Sequence, residues 1–226
     1  MSWIGANLEL IADLAVRHAL LCVVPILAGL ALALPLGTLA WRVRPLRAAI
    51  LTVVGLAYTI PSLALFVLLP PLLGISFLSE ANVVIAMSIY AVALMTRSVT
   101  EGLASVDPSV RQAAVALGYS PWRRFWAVDL PLAGPVLLAG LRVVAVSTVS
   151  LVTVGVLVGI RSLGYLFMDG LQRGIPEEIV AGIAATVLIA LLFDLALVLV
   201  GRVLLPWTRR PSRRAARLRL TARGAA

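Results

Sequence analysis

The sequence predicts an all-α, polytopic membrane protein of about five transmembrane helices, with one unusually long connection between the third and the fourth. Hydrophobic residues make up 62 % of the 226-residue chain and charged residues only 13 %. A soluble domain of this size cannot hide that much apolar surface, because its surface-to-volume ratio forces polar residues outward. The charges are also unevenly placed. Neither Asp, Glu nor Arg occurs between Arg17 and Arg42, nor between Arg47 and Glu80. A helix rises about 1.5 Å per residue and a hydrocarbon core of about 30 Å needs about 20 apolar residues, so both gaps are long enough to span.

The first span is expected from Ala19 to Trp41, bent at Pro25 and Pro35. The second, from Ala48 to Leu73, is interrupted at Thr59-Ile60-Pro61-Ser62 and closed by Pro70-Pro71, since proline inside a helix frees a backbone carbonyl. A third, short span covers Ala81 to Ser98. The fourth runs from Leu132 to Ile160 and the fifth from Ile179 to Leu205. Residues 1–18 form an external N-terminal segment in this reading, 19–205 the membrane domain, and 206–226 a basic, disordered cytoplasmic tail. Orientation follows from arginine counting in short loops. Arg42, Arg44 and Arg47 follow the first span; Arg97, Arg111, Arg123 and Arg124 lie around the long connection; Arg209, Arg210, Arg213, Arg214, Arg217, Arg219 and Arg223 fill the tail. The other loops are poorer in arginine, which puts the N-terminus outside and the C-terminus in the cytoplasm.

Composition also excludes function classes. The net charge of +9 is carried by arginine alone, clustered between apolar runs and in the tail, a pattern of topology determinants and anionic-lipid contacts and not of a nucleic-acid face. Cys22 is the sole cysteine, so no disulfide and no cysteine metal site can form within one chain, and His18 is the sole histidine, so a histidine zinc site or a Ser/His/Asp triad would have to rest on it alone. His18 is expected at the membrane interface. The acidic start of the chain (Glu9, Asp13) predicts no removable signal peptide. With no lysine, the chain has no phosphate-binding loop of the Gly-x4-Gly-Lys-Ser/Thr type, and any ATP it depends on must be hydrolysed by another chain. No cofactor is implied.

Residues 105–131 carry the informative pattern. Asp107 is a good N-cap, with Pro108 at the first helical position, where its missing N–H costs nothing. Val110, Ala113, Ala114 and Leu117 fall at i, i+3, i+4 and i+7, giving one apolar face. Gly118 sits where a left-handed turn is easy. Ser120-Pro121 repeats the cap-and-proline signal, and Trp122, Phe125 and Trp126 line one side of a second helix, flanked by Arg123 and Arg124. Such an element either lies on the membrane surface or docks a partner.

Gln112-Ala113-Ala114, three residues, Gly118, nine residues, then Val128-Asp129-Leu130-Pro131 resembles the EAA motif of ABC importer permeases of type I, with the MetI-like fold. The family's pattern is Glu-Ala-Ala, three residues, Gly, nine residues, Ile, any residue, Leu-Pro; the departure is Gln112, which keeps the size and loses the charge. Thr59-Ile60-Pro61-Ser62-Leu63-Ala64-Leu65 and Gly159 to Gly170 resemble the glycine betaine/choline/carnitine branch, although Gly159-Ile160-Arg161-Ser162-Leu163-Gly164 stands where that branch often has Gly-Ala-Gly-Gly-Leu-Gly. The resemblance covers residues 15–205. It implies a permease subunit that pairs with a second permease, identical or homologous, docks cytoplasmic ABC ATPases and receives a quaternary amine osmoprotectant from an external substrate-binding protein or lipoprotein. Val110, Gln112, Ala113, Ala114, Leu117, Gly118, Tyr119 and Pro121 would form the ATPase-coupling interface. A bulky side chain at Ala113 or Ala114 would hold the two surfaces apart.

Arg142 and Asp194 interrupt otherwise apolar spans, and counting from the cytoplasmic ends puts them at similar depth, so they could pair as an ion pair fixing helix register or contact substrate. The spans hold few aromatic residues, which assigns any cage for a quaternary ammonium to the external binding protein. A secondary transporter would need its own coupling-ion site and usually shows repeated halves. A scaffold that docks a soluble partner through residues 105–131 is the other alternative.

Overall fold

A computed structural model describes residues 2–208; the arginine-rich tail from Arg209 lies outside the described residues, and with it the expected disorder. The described residues fold entirely into helices and turns: α1 (Ser2–Ala6), α2 (Leu8–Arg42), α3 (Arg44–Thr59), α4 (Ser62–Leu73), α5 (Glu80–Ala104), α6 (Pro108–Ala116), α7 (Pro121–Arg124), α8 (Leu130–Val152), α9 (Gly164–Arg173) and α10 (Pro176–Leu204). Four spans of sufficient length and apolarity stand out: α2, α5, α8 with its flanks, and α10. The pair α3–α4, bent by 102° where Ile60-Pro61 breaks the helix, is long and apolar enough for a fifth only when its two helices are taken together. Pro61 has no N–H to return to the carbonyl of Ala57, and the Leu65 N–H reaches only back to the Pro61 carbonyl, at 3.0 Å, so α4 starts anew.

The core is organised around α5, sandwiched between α2 and α8. Val83, Met87, Met95, Val99 and Leu103 are fully buried along it. Small residues let α2 lie close: a Cβ added to Gly29 would stand 2.6 Å from the Cβ of Ala91, and one added to Gly37 2.6 Å from that of Val99. Such close approach is how membrane helices gain dispersion energy where apolar burial from water is unavailable.

Several boundaries differ from expectation. Helix α2 begins at Leu8, so residues 8–18 are continuous with the first span and are preceded by the short helix α1. His18 is fully buried among the helices of its own chain, its Nε2 2.9 Å from the Val149 carbonyl. It shares a face with Leu14, Leu21 and Cys22, all buried, so the apolar stripe carries it into the core. The expected loop at 42–47 is a single residue, Val43, between α2 and α3. Helix α5 runs on to Ala104, because Val99, Thr100 and Leu103 continue its buried face past Ser98, while Arg97 and Glu101 pair at 3.1 Å on its exposed side. The fourth span ends as α-helix at Val152 and continues as a 3₁₀ turn, Thr153–Val158, stopped by Gly159. Residues 161–178 contain α9, where Arg173 donates to Asp169 at 2.9 Å, and Pro206–Thr208 form one 3₁₀ turn at the start of the expected tail.

Candidate functional site

The connection between α5 and α8 is a compact double-helical element. The Asp107 carboxylate accepts the Ser109 N–H at 2.8 Å, which opens α6 and holds that carboxyl below the usual carboxylate range. At the other end Gly118 adopts φ +79°, the Gly118 N–H reaches the Val115 carbonyl at 2.9 Å, and the Tyr119 N–H reaches the Ala114 carbonyl at 3.1 Å. These two bonds make a Schellman closure. Ser120 then caps α7, accepting the Arg123 N–H at 3.3 Å, and Arg123 stacks 4.6 Å over the Tyr119 ring. A wider π turn, Phe125–Asp129, leads without a break into α8.

The faces of this element are sharply different. Of the expected apolar stripe only Ala114 turns into its own chain, at 5 % exposure. Val110, Gln112, Ala113, Leu117 and Pro121 are exposed and Tyr119 is half-buried; Leu117 stands 77 % exposed and Trp122 69 %. Of the two alanines, therefore, only Ala113 is open to a partner. The inner side is polar, a feature sequence reasoning missed. Asp129, 1 % exposed, accepts Arg111 Nε at 2.7 Å and Arg124 Nε at 3.3 Å. Arg111 also donates through Nη2 to the Leu103 carbonyl at the end of α5, and its guanidinium lies 4.9 Å over the Trp41 ring at the end of α2. Arg42 lies 5.3 Å over Phe125. One side chain of α6 thus touches the ends of α2 and α5 and the residue that leads into α8. The available signal was Asp129 itself, a carboxylate just before a membrane helix, which has to find a cation when buried.

Arg142 and Asp194 meet in a second place, on α8 and α10. Arg142 Nε donates to Asp194 Oδ1 at 2.6 Å and Nη2 to Oδ2 at 2.8 Å, a bidentate fork. Their side chains keep 43 % and 27 % exposure within this single chain. The pair sits in an open groove with Ala139, Val146 and Ser147. Among the described residues no cluster of histidine, cysteine and carboxylates could hold a metal ion.

Residues 25–210 match the family described as binding-protein-dependent transport system inner membrane component. The chain belongs to this family. It is a multi-pass permease subunit of the inner membrane. The choline transport system permease protein OpuBB of Bacillus subtilis is 28 % identical over 190 residues, 84 % of this chain and 86 % of that one. The osmoprotectant import permease protein OsmW of Salmonella typhimurium is 29 % identical over 83 % of this chain and 88 % of that one. The permease also shares its fold with the MetNI methionine ABC transporter in an inward-facing conformation, at a TM-score of 0.77 and 21 % identity over 88 % of this chain and 98 % of that one.

Proposed function

We propose that this permease imports a quaternary amine osmoprotectant, such as choline, glycine betaine or carnitine, at the expense of ATP hydrolysed by a partner. Two permease subunits, identical or homologous, form the pathway; an external binding protein or lipoprotein delivers the substrate. The substrate class rests on relatives whose names carry choline, osmoprotectant, carnitine and glycine betaine transport. The observation that carries the coupling role is the α6–α7 element: capped at both ends, clasped to three spans from within, and apolar on the side its own chain leaves open. An ATPase groove that takes Ala113, Leu117 and their neighbours would move α8, α5 and α2 together through Arg111 and Asp129. The open apolar face is what a docking element needs and a solvated loop does not.

The N-terminus is external and the C-terminus cytoplasmic, a topology supported by the arginine clusters flanking α3 and the α5–α8 connection. Single cysteines on a Cys22→Ser background test it: positions 76 and 172 should react with an impermeant thiol reagent from outside, and position 115 only from inside. Labelling of position 115 from outside overturns the topology. Uptake by vesicles holding the permease, its ATPase and its binding protein tests the function. Uptake that persists without ATP and follows an ion gradient would establish a secondary transporter, and assembly with a soluble partner without any uptake would establish a scaffold.

A further inference from the structure

We propose that Tyr58, at the break between α3 and α4, is a way-station for the quaternary ammonium group within the permease, holding it against the ring during passage. The inference rests on the osmoprotectant reading above and adds the contact inside the membrane. Three features of the chain support it.

The first is exposure of a broken backbone at mid-depth. Helix α3 contributes no buried side chain, and Tyr58, Thr59, Ile60 and Pro61 are all exposed in the single chain. Tyr90, their neighbour on α5, stands ten residues from Glu80, about 15 Å along the helix and so near the middle of the hydrocarbon core. Irregular backbone at that depth is tolerated where it is covered by protein or lines water, and not against lipid. In the assembled permease the break is therefore either covered by protein or lines water, and the proposed role of Tyr58 places it on the water-lined pathway.

The second is the fixed geometry of the break. Helix α3 ends at Thr59 and α4 begins at Ser62, so a helix C-terminus and a helix N-terminus meet there and their end charges offset one another. The Thr59 hydroxyl donates back to the Leu56 carbonyl at 2.7 Å and the Tyr90 hydroxyl donates to the Ile60 carbonyl, which fixes the geometry of the break.

The third is the aromatic surface itself. Tyr58 and Tyr90 pack edge to face with centroids 5.6 Å apart; Tyr90 is buried, while Tyr58 keeps 42 % exposure. Tyr90 is thus the support and Tyr58 the working ring. Tyr58 borders an open cavity of about 430 Å³ with Thr52, Gly55 and Leu94, roomy enough for a trimethylammonium group. Arg97 borders the same cavity, but its charge is offset by Glu101 at 3.1 Å. A quaternary ammonium cannot donate a hydrogen bond, so a ring face is the neutral surface that attracts it, by electrostatics that do not demand full desolvation. The weak, single-ring contact suits a carrier that must release its load.

The test replaces residue 58 with phenylalanine and then with phenylalanine bearing one, two and three fluorines, which weaken the negative ring face at nearly constant size. The full assembly of permease, ATPase and binding protein is reconstituted, and uptake of radiolabelled choline, glycine betaine and carnitine is measured. Tyr58→Phe should stay within about twofold of the native chain, and the trifluorinated ring should fall about tenfold, with the others between. ATP hydrolysis stimulated by the loaded binding protein should stay within about twofold throughout, showing that the assembly is intact. A flat series with normal uptake overturns the role of Tyr58 alone. Failure of the native assembly to take up any quaternary amine overturns the substrate reading and this inference together.

Discussion

Two arginine–aspartate contacts bracket α8, and they are built differently. At its start Asp129 is buried and serves two guanidiniums, one of which also reaches a backbone carbonyl and an aromatic ring. Near its middle Arg142 and Asp194 form an isolated fork, partly open to whatever lies outside the chain. The first joins a short surface element to three helix ends, so it acts as a rigid joint. The second joins two long helices that already pack against each other, so it sets their register and keeps two charges mutually neutral where lipid would reject either alone. Chemistry of one kind thus does mechanical work in one place and tolerates the membrane in the other.

The largest effect should come from Asp129→Ala, which leaves two half-buried guanidiniums without their shared carboxylate. Since neither cation is fully buried, the cost falls below that of breaking a fully buried pair, about 3–5 kcal/mol. Substrate-stimulated ATP hydrolysis should fall to near the basal rate, and thermal melting in detergent should shift down by several degrees. Double neutralisation sharpens the contrast. Arg142→Gln with Asp194→Asn should recover more than half of the melting-temperature loss seen in Asp194→Ala, because no charge is left behind. Arg111→Gln with Asp129→Asn should recover much less, because Arg124 stays stranded. Equal recovery in the two places would dissolve the distinction.

Gly118→Val comes next. An added Cβ would meet no heavy atom within 4 Å, so the cost lies wholly in forcing φ +79° on a β-branched residue. Gly118→Asn, which tolerates that region, should keep most of the coupling that the valine variant loses in the same ATPase assay. The smallest effect concerns Asp107. Its carboxyl is held low by the Ser109 N–H, so the cap is fully present above the ordinary carboxylate range and is lost as pH falls through its depressed value, below that range. The protection of the Ser109 amide, its exchange corrected for the intrinsic pH dependence, should fall there and stay flat in Asp107→Ala.

Much of this was legible in the sequence, for reasons that differ by region. Charge-free runs and Pro61 disclosed the spans and the break, because lipid tolerates neither stray charges nor unpaired carbonyls. Cap residues disclosed α6 and α7, since Asp107, Gly118 and Ser120 act within a few residues of their own position. Depth counting was enough to suggest Arg142 and Asp194 as partners. Helix ends were misread where a buried face carries on beside an exposed charged pair, Leu14 beside Asp13–Arg17 and Val99 and Leu103 beside Arg97–Glu101, both pairs at 3.1 Å. Asp129 signalled the need for a cation, but the choice of Arg111 could not be read, since it depends on how α6 folds back over a chain segment 18 residues further on, and neither could the inward turn of Ala114.

The account stands on α6 being the surface through which ATP hydrolysis drives the permease, and Ala113→Trp tests that most directly. Ala113 is exposed and its partner Ala114 is not, so tryptophan at 113 should leave membrane insertion and melting unchanged while obstructing whatever docks there. In vesicles holding the permease, ATPase and loaded binding protein, the account predicts that stimulated ATP hydrolysis and uptake both fall to background. Normal rates of both in Ala113→Trp would contradict it.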